Sequence, residues 1–129
     1  MNRVIFSFLI FISSCQIFDS SEINVISDAQ FNEIQDSDYI LVDVRTVEEY
    51  ESGHIQDAIN FDFYSESFQK EILSLEKNSL IILYCRTQNR STKAANFLKE
   101  NGYKDISVIE GGITSWVKNG NVLSFNFSE

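Results

Sequence analysis

Leu80-Ile81-Ile82-Leu83-Tyr84 is an unbroken apolar run, and with the loop behind it leaves little freedom in the fold. A strand apolar along its whole length suits burial on both faces, between two layers of helix in a parallel sheet. The loop Cys85-Arg86-Thr87-Gln88-Asn89-Arg90-Ser91 comes next. An amphipathic helix continues from it directly, with Ala94, Ala95, Phe97 and Leu98 on one face and a stop at Asn101-Gly102. The order puts a thiol at the carboxyl end of a strand and over a helix amino terminus, with two arginines in the same loop. Backbone N–H groups, the helix dipole and guanidinium charge all favour thiolate over thiol there.

The same strand–helix alternation runs through the chain. Ser27-Asp28-Ala29-Gln30 is a capping box that opens a short helix through Phe31 and Ile34. Tyr39 to Val44 is an apolar run broken only by Asp43. Thr46-Val47-Glu48-Glu49 is a second capping box, for a helix ending near Ser52-Gly53. Ala58 to Phe61 is a short strand candidate, and Phe68, Ile72 and Leu75 have helical spacing. A helix is expected from Ser91, a strand from Ile106 to Ile109, and a last helix around Ile113 to Val117. The expectation is one α/β domain over residues 25–120, with a mostly parallel sheet covered by helices on both faces. Residues 121–129 form a tail that adds an edge strand or covers the sheet. Such sheets bind ligands at the carboxyl ends of their strands, where Cys85 stands.

The chain has 129 residues, room for one core. Its net charge of −9 argues against nucleic acid as a partner, because phosphate binding needs a basic face. Against that background Arg86, Arg90 and Lys93 are a local positive cluster.

Met1-Asn2-Arg3, the apolar run Val4 to Ile12 and Ser13-Ser14-Cys15 resemble a bacterial lipoprotein signal, with Ile12-Ser13-Ser14-Cys15 in the place of the lipobox. The resemblance implies removal of residues 1–14, lipid attachment at Cys15, a tether over 15–24, and anchoring at the periplasmic face of a membrane. A plain secretory signal and a short anchor helix are the alternatives. The chain has two cysteines, so lipid on Cys15 leaves Cys85 without a disulfide partner. A Cys15–Cys85 staple is the competing arrangement.

Three segments together resemble the single-domain rhodanese family over roughly Ile23 to Asn119. They are Asp43-Val44-Arg45 with Glu49-Tyr50, Gly53-His54-Ile55 and Ala58-Ile59-Asn60; the loop Cys85 to Ser91; and Glu110-Gly111-Gly112 with Trp116 beyond it. The resemblance implies sulfur transfer through a Cys85 persulfide, from a small anionic donor such as thiosulfate to cyanide or a thiol. No cofactor or metal is implied, and a monomer is expected. Four residues separate Cys85 from Arg90. Cysteine phosphatases of similar shape use a longer loop, and a shorter ring of N–H donors suits a smaller group.

Cys85 is the expected nucleophile. Thr87, Gln88 and Asn89 would contribute backbone N–H groups. Arg90 would hold the loop and add positive potential, or form a structural pair with Asp43. Arg86 would face solvent and steer the donor. Ser91 is read as the cap of the helix it begins. Asp43 and Arg45 are expected to pair beneath the loop, since an aspartate in an apolar strand requires a partner. His54, the only histidine, is assigned fixed hydrogen bonds in preference to base duty, and Trp116 a place in the core. Many family members have glycine where Gln88 stands, which leaves two readings: a perturbed loop, or an amide replacing a backbone contact to substrate. The competing functions are a non-catalytic binding module and a persulfide carrier to a protein partner. One cysteine in the loop disfavours a dithiol redox enzyme.

Overall fold

The computed structural model describes residues 22–126. The signal over residues 1–14 and the lipid-attachment reading of Cys15 lie outside the described residues. Ten elements alternate strictly: β1 (Asn24–Ile26), α1 (Asp28–Glu33), β2 (Tyr39–Asp43), α2 (Val47–Glu51), β3 (Ile59–Asn60), α3 (Phe68–Ile72), β4 (Leu80–Tyr84), α4 (Asn89–Glu100), β5 (Ile106–Ile109) and α5 (Gly112–Lys118). The five strands form one parallel sheet in the order β1-β5-β4-β2-β3. The apolar run that leads into the cysteine, β4, lies at its centre between β5 and β2.

Both expected capping boxes are formed, Ser27 with Gln30 and Thr46 with Glu49. Strand periodicity divides the core into two layers. Ile81, Leu83 and Cys85 face a cluster with Val42, Val44, Val108, and Phe68, Ile72, Ala94, Ala95 and Leu98 of α3 and α4. Ile82 and Tyr84 face the other side, with Leu41, Ile55, Ile109, and Phe31, Ile113 and Trp116 of α1 and α5. The thiol therefore belongs to the α3/α4 side of the sheet.

Element boundaries differ from the sequence reading at several places, two of which bear on the sheet and the loop. Asn24, the last residue of the expected tether, opens β1 and pairs with Ser107 of β5. The helix expected from Ser91 begins two residues earlier, at Asn89. Among the described residues, the tail makes one antiparallel bridge, Ser124 to His54, and Leu123 packs on the α1/α5 layer. The Trp116 indole N–H donates to Val122 O at 3.0 Å, which ties the tail to α5.

One charged pair sits inside this framework. Asp43 and Arg45 are 0% and 4% exposed, and Arg45 Nη2 meets Asp43 Oδ2 at 2.7 Å. Arg45 Nε and backbone N also donate to the carboxylate, and Nη2 reaches Gly53 O at 2.7 Å. Burial opposes the guanidinium charge, but the Asp43 bonds outweigh it and hold the group above its usual value. Burial, with the Asp43 charge nearby, pushes the neighbouring Tyr84 phenol up. Its oxygen accepts the Ile55 N–H at 3.0 Å. Asp43→Ala would leave a buried, unpaired guanidinium, so denaturant unfolding should show a loss of about 3–5 kcal/mol. A loss below about 1 kcal/mol would be the size of an exposed pair, and would contradict this burial.

Candidate active site

Cys85 directly succeeds β4 and is 1% exposed. The loop after it is fixed through its carbonyl groups. Cys85 O accepts the Ile113 N–H at 2.9 Å, and Arg86 O accepts the N–H and the hydroxyl of Thr114 at 3.1 and 2.9 Å. These donors come from the first turn of α5, whose N–H groups have no partner within their own helix. Gln88 O accepts from Thr92 N at 3.0 Å and from the Ser91 hydroxyl at 3.1 Å. Among the described residues, none of the N–H groups of Arg86, Thr87, Gln88, Asn89, Arg90 and Ser91 has an acceptor. Six consecutive unpaired donors lead into α4, where the helix dipole also favours negative charge.

Gly112 sets how closely α5 can approach. Its φ is +57°, and a Cβ there would collide with the carbonyl oxygens of Cys85 and Thr87. Gly111 N donates to the Gln88 side-chain Oε1 at 3.2 Å. Gln88 has φ −159°, outside the left-handed region that favours glycine.

Arg90 turns back from α4 to α2. Its Nη1 and Nη2 donate to the two carboxylate oxygens of Glu49 at 2.7 and 2.9 Å. That bidentate bond holds the Glu49 carboxyl at about 2, against an ordinary 4.5. The same bond raises the Arg90 guanidinium, and the Cys85 sulfur adds to the effect. The Tyr64 ring covers Arg90 at 5.6 Å. Arg86, in contrast, is exposed, and its guanidinium has no partner among the described residues. Two cavities, of ≈ 290 Å³ around Phe31, Tyr39 and Trp116 and ≈ 370 Å³ around Phe63, Lys93 and Phe97, are not lined by Cys85. Neither of these two cavities is lined by a residue of the loop 85–91.

A cysteine at the end of a central parallel strand, with four residues to an arginine on the next helix, agrees with a family-wide comparison: the rhodanese-like domain profile matches residues 28–119. The chain belongs to the rhodanese family. A rhodanese-related protein from Thermoplasma volcanium is 29% identical, superposes with a TM-score of 0.72, and is matched over 80% of this chain and 99% of its own. A rhodanese-like domain protein from Staphylococcus aureus, also 29% identical, gives 0.69 over 81% and 100%. Curated relatives include proteins named tRNA uridine(34) hydroxylase. One from Escherichia fergusonii is 34% identical over 107 residues, and one from Leptospira interrogans 38% over 96. The matches cover 78% and 70% of this chain but only 31% and 26% of those proteins.

The structure corrects two site readings for this rhodanese domain. Arg90 pairs with Glu49, not Asp43, because Asp43 is already filled by Arg45 from its own strand end. Ser91 is not the helix cap. That position is Gln88, and Ser91 is the third helical residue, buried, with its hydroxyl 3.5 Å from Cys85 Sγ. The Gln88 side chain is engaged through Oε1, which accepts the Gly111 N–H. Gathered at the loop are Cys85, Arg86, Thr87, Gln88, Asn89, Arg90 and Ser91. Asp43 and Arg45 lie one layer beneath, beside Tyr84. His54 stacks on Tyr50 at 3.9 Å, and its Nδ1 lies 3.2 Å from Tyr50 O. Sequence reasoning missed Glu49, Ile113 and Thr114 as parts of this assembly. The Glu49-Tyr50 and Gly111-Gly112 segments of the resemblance were the available signals.

The Glu49–Arg90 pair has a definite pH signature. A carboxyl lowered from 4.5 to about 2 on folding contributes stability that is fully present above 4.5 and lost as pH falls towards 2. Unfolding midpoints measured from pH 7 to 2 should decline across that window, and the decline should be shallower in Glu49→Gln. Identical profiles for the two proteins would show that the pair does not persist in solution.

Proposed function

We propose that this rhodanese domain is a sulfurtransferase that carries sulfur as a Cys85 persulfide, loaded from a small anionic donor such as thiosulfate and discharged to cyanide or a thiol. The observation that carries the reading is the set of six unpaired N–H groups beside a buried thiol. In the first half-reaction the Cys85 thiolate attacks the outer sulfur of thiosulfate. A bond forms between Sγ and that sulfur, the sulfur–sulfur bond of the donor breaks, and its electron pair leaves with sulfite. The outer sulfur carries the negative charge, and the loop N–H groups stabilise it. In the second half-reaction cyanide attacks the outer sulfur, the pair of the Sγ–S bond returns to Sγ, and thiocyanate departs. No external oxidant or reductant enters either step.

The two loop arginines divide the electrostatic work. Glu49 offsets the charge of Arg90 and occupies both its terminal nitrogens, so Arg90 fixes the loop. Arg86 is left to attract the anionic donor. The hydroxylation named for the longer relatives is a reaction on tRNA. A net charge of −9 gives RNA little electrostatic attraction, which favours small acceptors for this chain. We extend the proposal to location: the apolar run and Cys15 support export and lipid anchoring at the periplasmic face.

Incubating the protein with thiosulfate and weighing it intact should show one added sulfur atom, absent from Cys85→Ser and discharged by cyanide as thiocyanate. A folded protein that takes up no sulfur from thiosulfate or other sulfane donors would sink the enzyme reading in favour of a binding module. A persulfide that no small acceptor discharges would indicate a carrier to a protein partner. For the donor, Arg86→Ala should raise the thiosulfate KM several-fold while changing kcat less, an effect that shrinks at high salt. A loss confined to kcat would remove Arg86 from donor recognition.

A further inference from the structure

We propose that Ser91 is a catalytic residue of this site, a hydroxyl that turns from the Gln88 carbonyl to the Cys85 sulfur whenever that sulfur carries negative charge. The proposal rests on the sulfur-transfer reading for its kinetic consequences and on geometry alone for its effect on the thiol. Ser91 is completely buried, and its Oγ lies between two groups, Gln88 O at 3.1 Å and Cys85 Sγ at 3.5 Å. A hydroxyl has one proton to give. While that proton points at Gln88 O, Oγ can only accept from the sulfur, an arrangement that fits the thiol. Once the thiol proton is gone, an oxygen lone pair facing the anionic sulfur is repulsive. Rotation about the Cβ–Oγ bond replaces that repulsion by a charge-assisted hydrogen bond. The rotation does not strand the carbonyl, because Gln88 O keeps the Thr92 N–H at 3.0 Å.

The two half-reactions then respond in opposite senses. In discharge, electron density collects on Sγ as the leaving group, and the Ser91 O–H stabilises it. In loading, density leaves Sγ, and the same bond restrains an already ionised nucleophile. The charged groups at the loop are Arg90, which couples to the sulfur, its partner Glu49, and the exposed Arg86. None is altered by a change at Ser91. Alanine fills nearly the volume of serine and favours the helix, so Ser91→Ala should fold.

The test uses the full chain carrying Cys15→Ser, which leaves Cys85 as its single thiol. Iodoacetamide should alkylate Ser91→Ala about tenfold more slowly than the parent at pH 7, and no more slowly at pH 10, where ionisation no longer limits the rate. At pH 10 loading by thiosulfate should be unchanged or up to about threefold faster, while discharge to cyanide slows about three- to tenfold. Ser91→Thr, which keeps the hydroxyl, should resemble the parent. Equal alkylation rates at pH 7, or Ser91→Thr as impaired as Ser91→Ala with both half-reactions slowed alike, would overturn the proposal. If Ser91→Ala does not fold, Ser91→Gly, which also lacks the hydroxyl, takes its place with the same expected results. Should the parent load no sulfur, the sulfur-transfer reading fails, and the alkylation contrast alone decides the role of Ser91.

Discussion

A trans peptide unit presents its N–H and its carbonyl on opposite sides, and the site depends on that constraint. If the carbonyls of a tight loop are tied outward, its N–H groups must turn to the other side. Here Ile113 and Thr114 take the carbonyls of Cys85 and Arg86, and Thr92 and Ser91 take that of Gln88. No side-chain charge is needed to aim the donors. The first turn of α5 supplies groups that its own helix leaves unpaired, and Gly112 lets the two backbones meet. Sheet order makes this possible, because β5, the strand leading into α5, is the direct neighbour of β4.

Charge is organised in two tiers above and below that backbone frame. The buried Asp43–Arg45 pair joins the end of β2 to Gly53 and lies against Tyr84, the residue before the nucleophile. A buried pair of this kind is weak evidence for stability, since its desolvation penalty offsets much of the attraction. Its consequence here is positional: β2 and β4 must end in fixed register, with Val44 N bonded to Tyr84 O at 3.0 Å. The outer pair, Glu49–Arg90, couples α2 to α4 and is partly exposed, so salt screens it more. Arg90 is thus held at the loop with its charge largely compensated.

Much of the frame was legible because local signals carry it. Apolar runs marked β2 and β4, side-chain caps marked α1 and α2, and the cysteine after β4 marked the site. The features that escaped the sequence were non-local or weak. β1 is three residues long and owes its existence to pairing with β5. Glu49 stands 41 positions from Arg90, and its capping role already accounted for it, so nothing called for a second partner. Ser91 looked like a cap because serine favours that place. The helix instead starts at Asn89 without a side-chain cap, its early N–H groups left open over the loop.

The burial of Cys85 bears on what can react there. At 1% exposure the thiol sulfur offers almost no surface, so a reactant must present its own atom down the axis of the loop. A terminal sulfur on a small anion can do so. Once bonded, it stands about 2 Å outward from Sγ, at the distance of a sulfur–sulfur bond. That displacement carries the transferable atom from the core cluster towards the ring of N–H groups, and leaves it accessible to an acceptor that never touches Sγ. In the proposed sulfur transfer, loading and discharge would therefore occur at different depths in one site: the first needs a slender donor, and the second only an exposed outer sulfur. The steric demand on the acceptor is the lighter of the two, so on that proposal the loop constrains the sulfur donor more tightly than the acceptor.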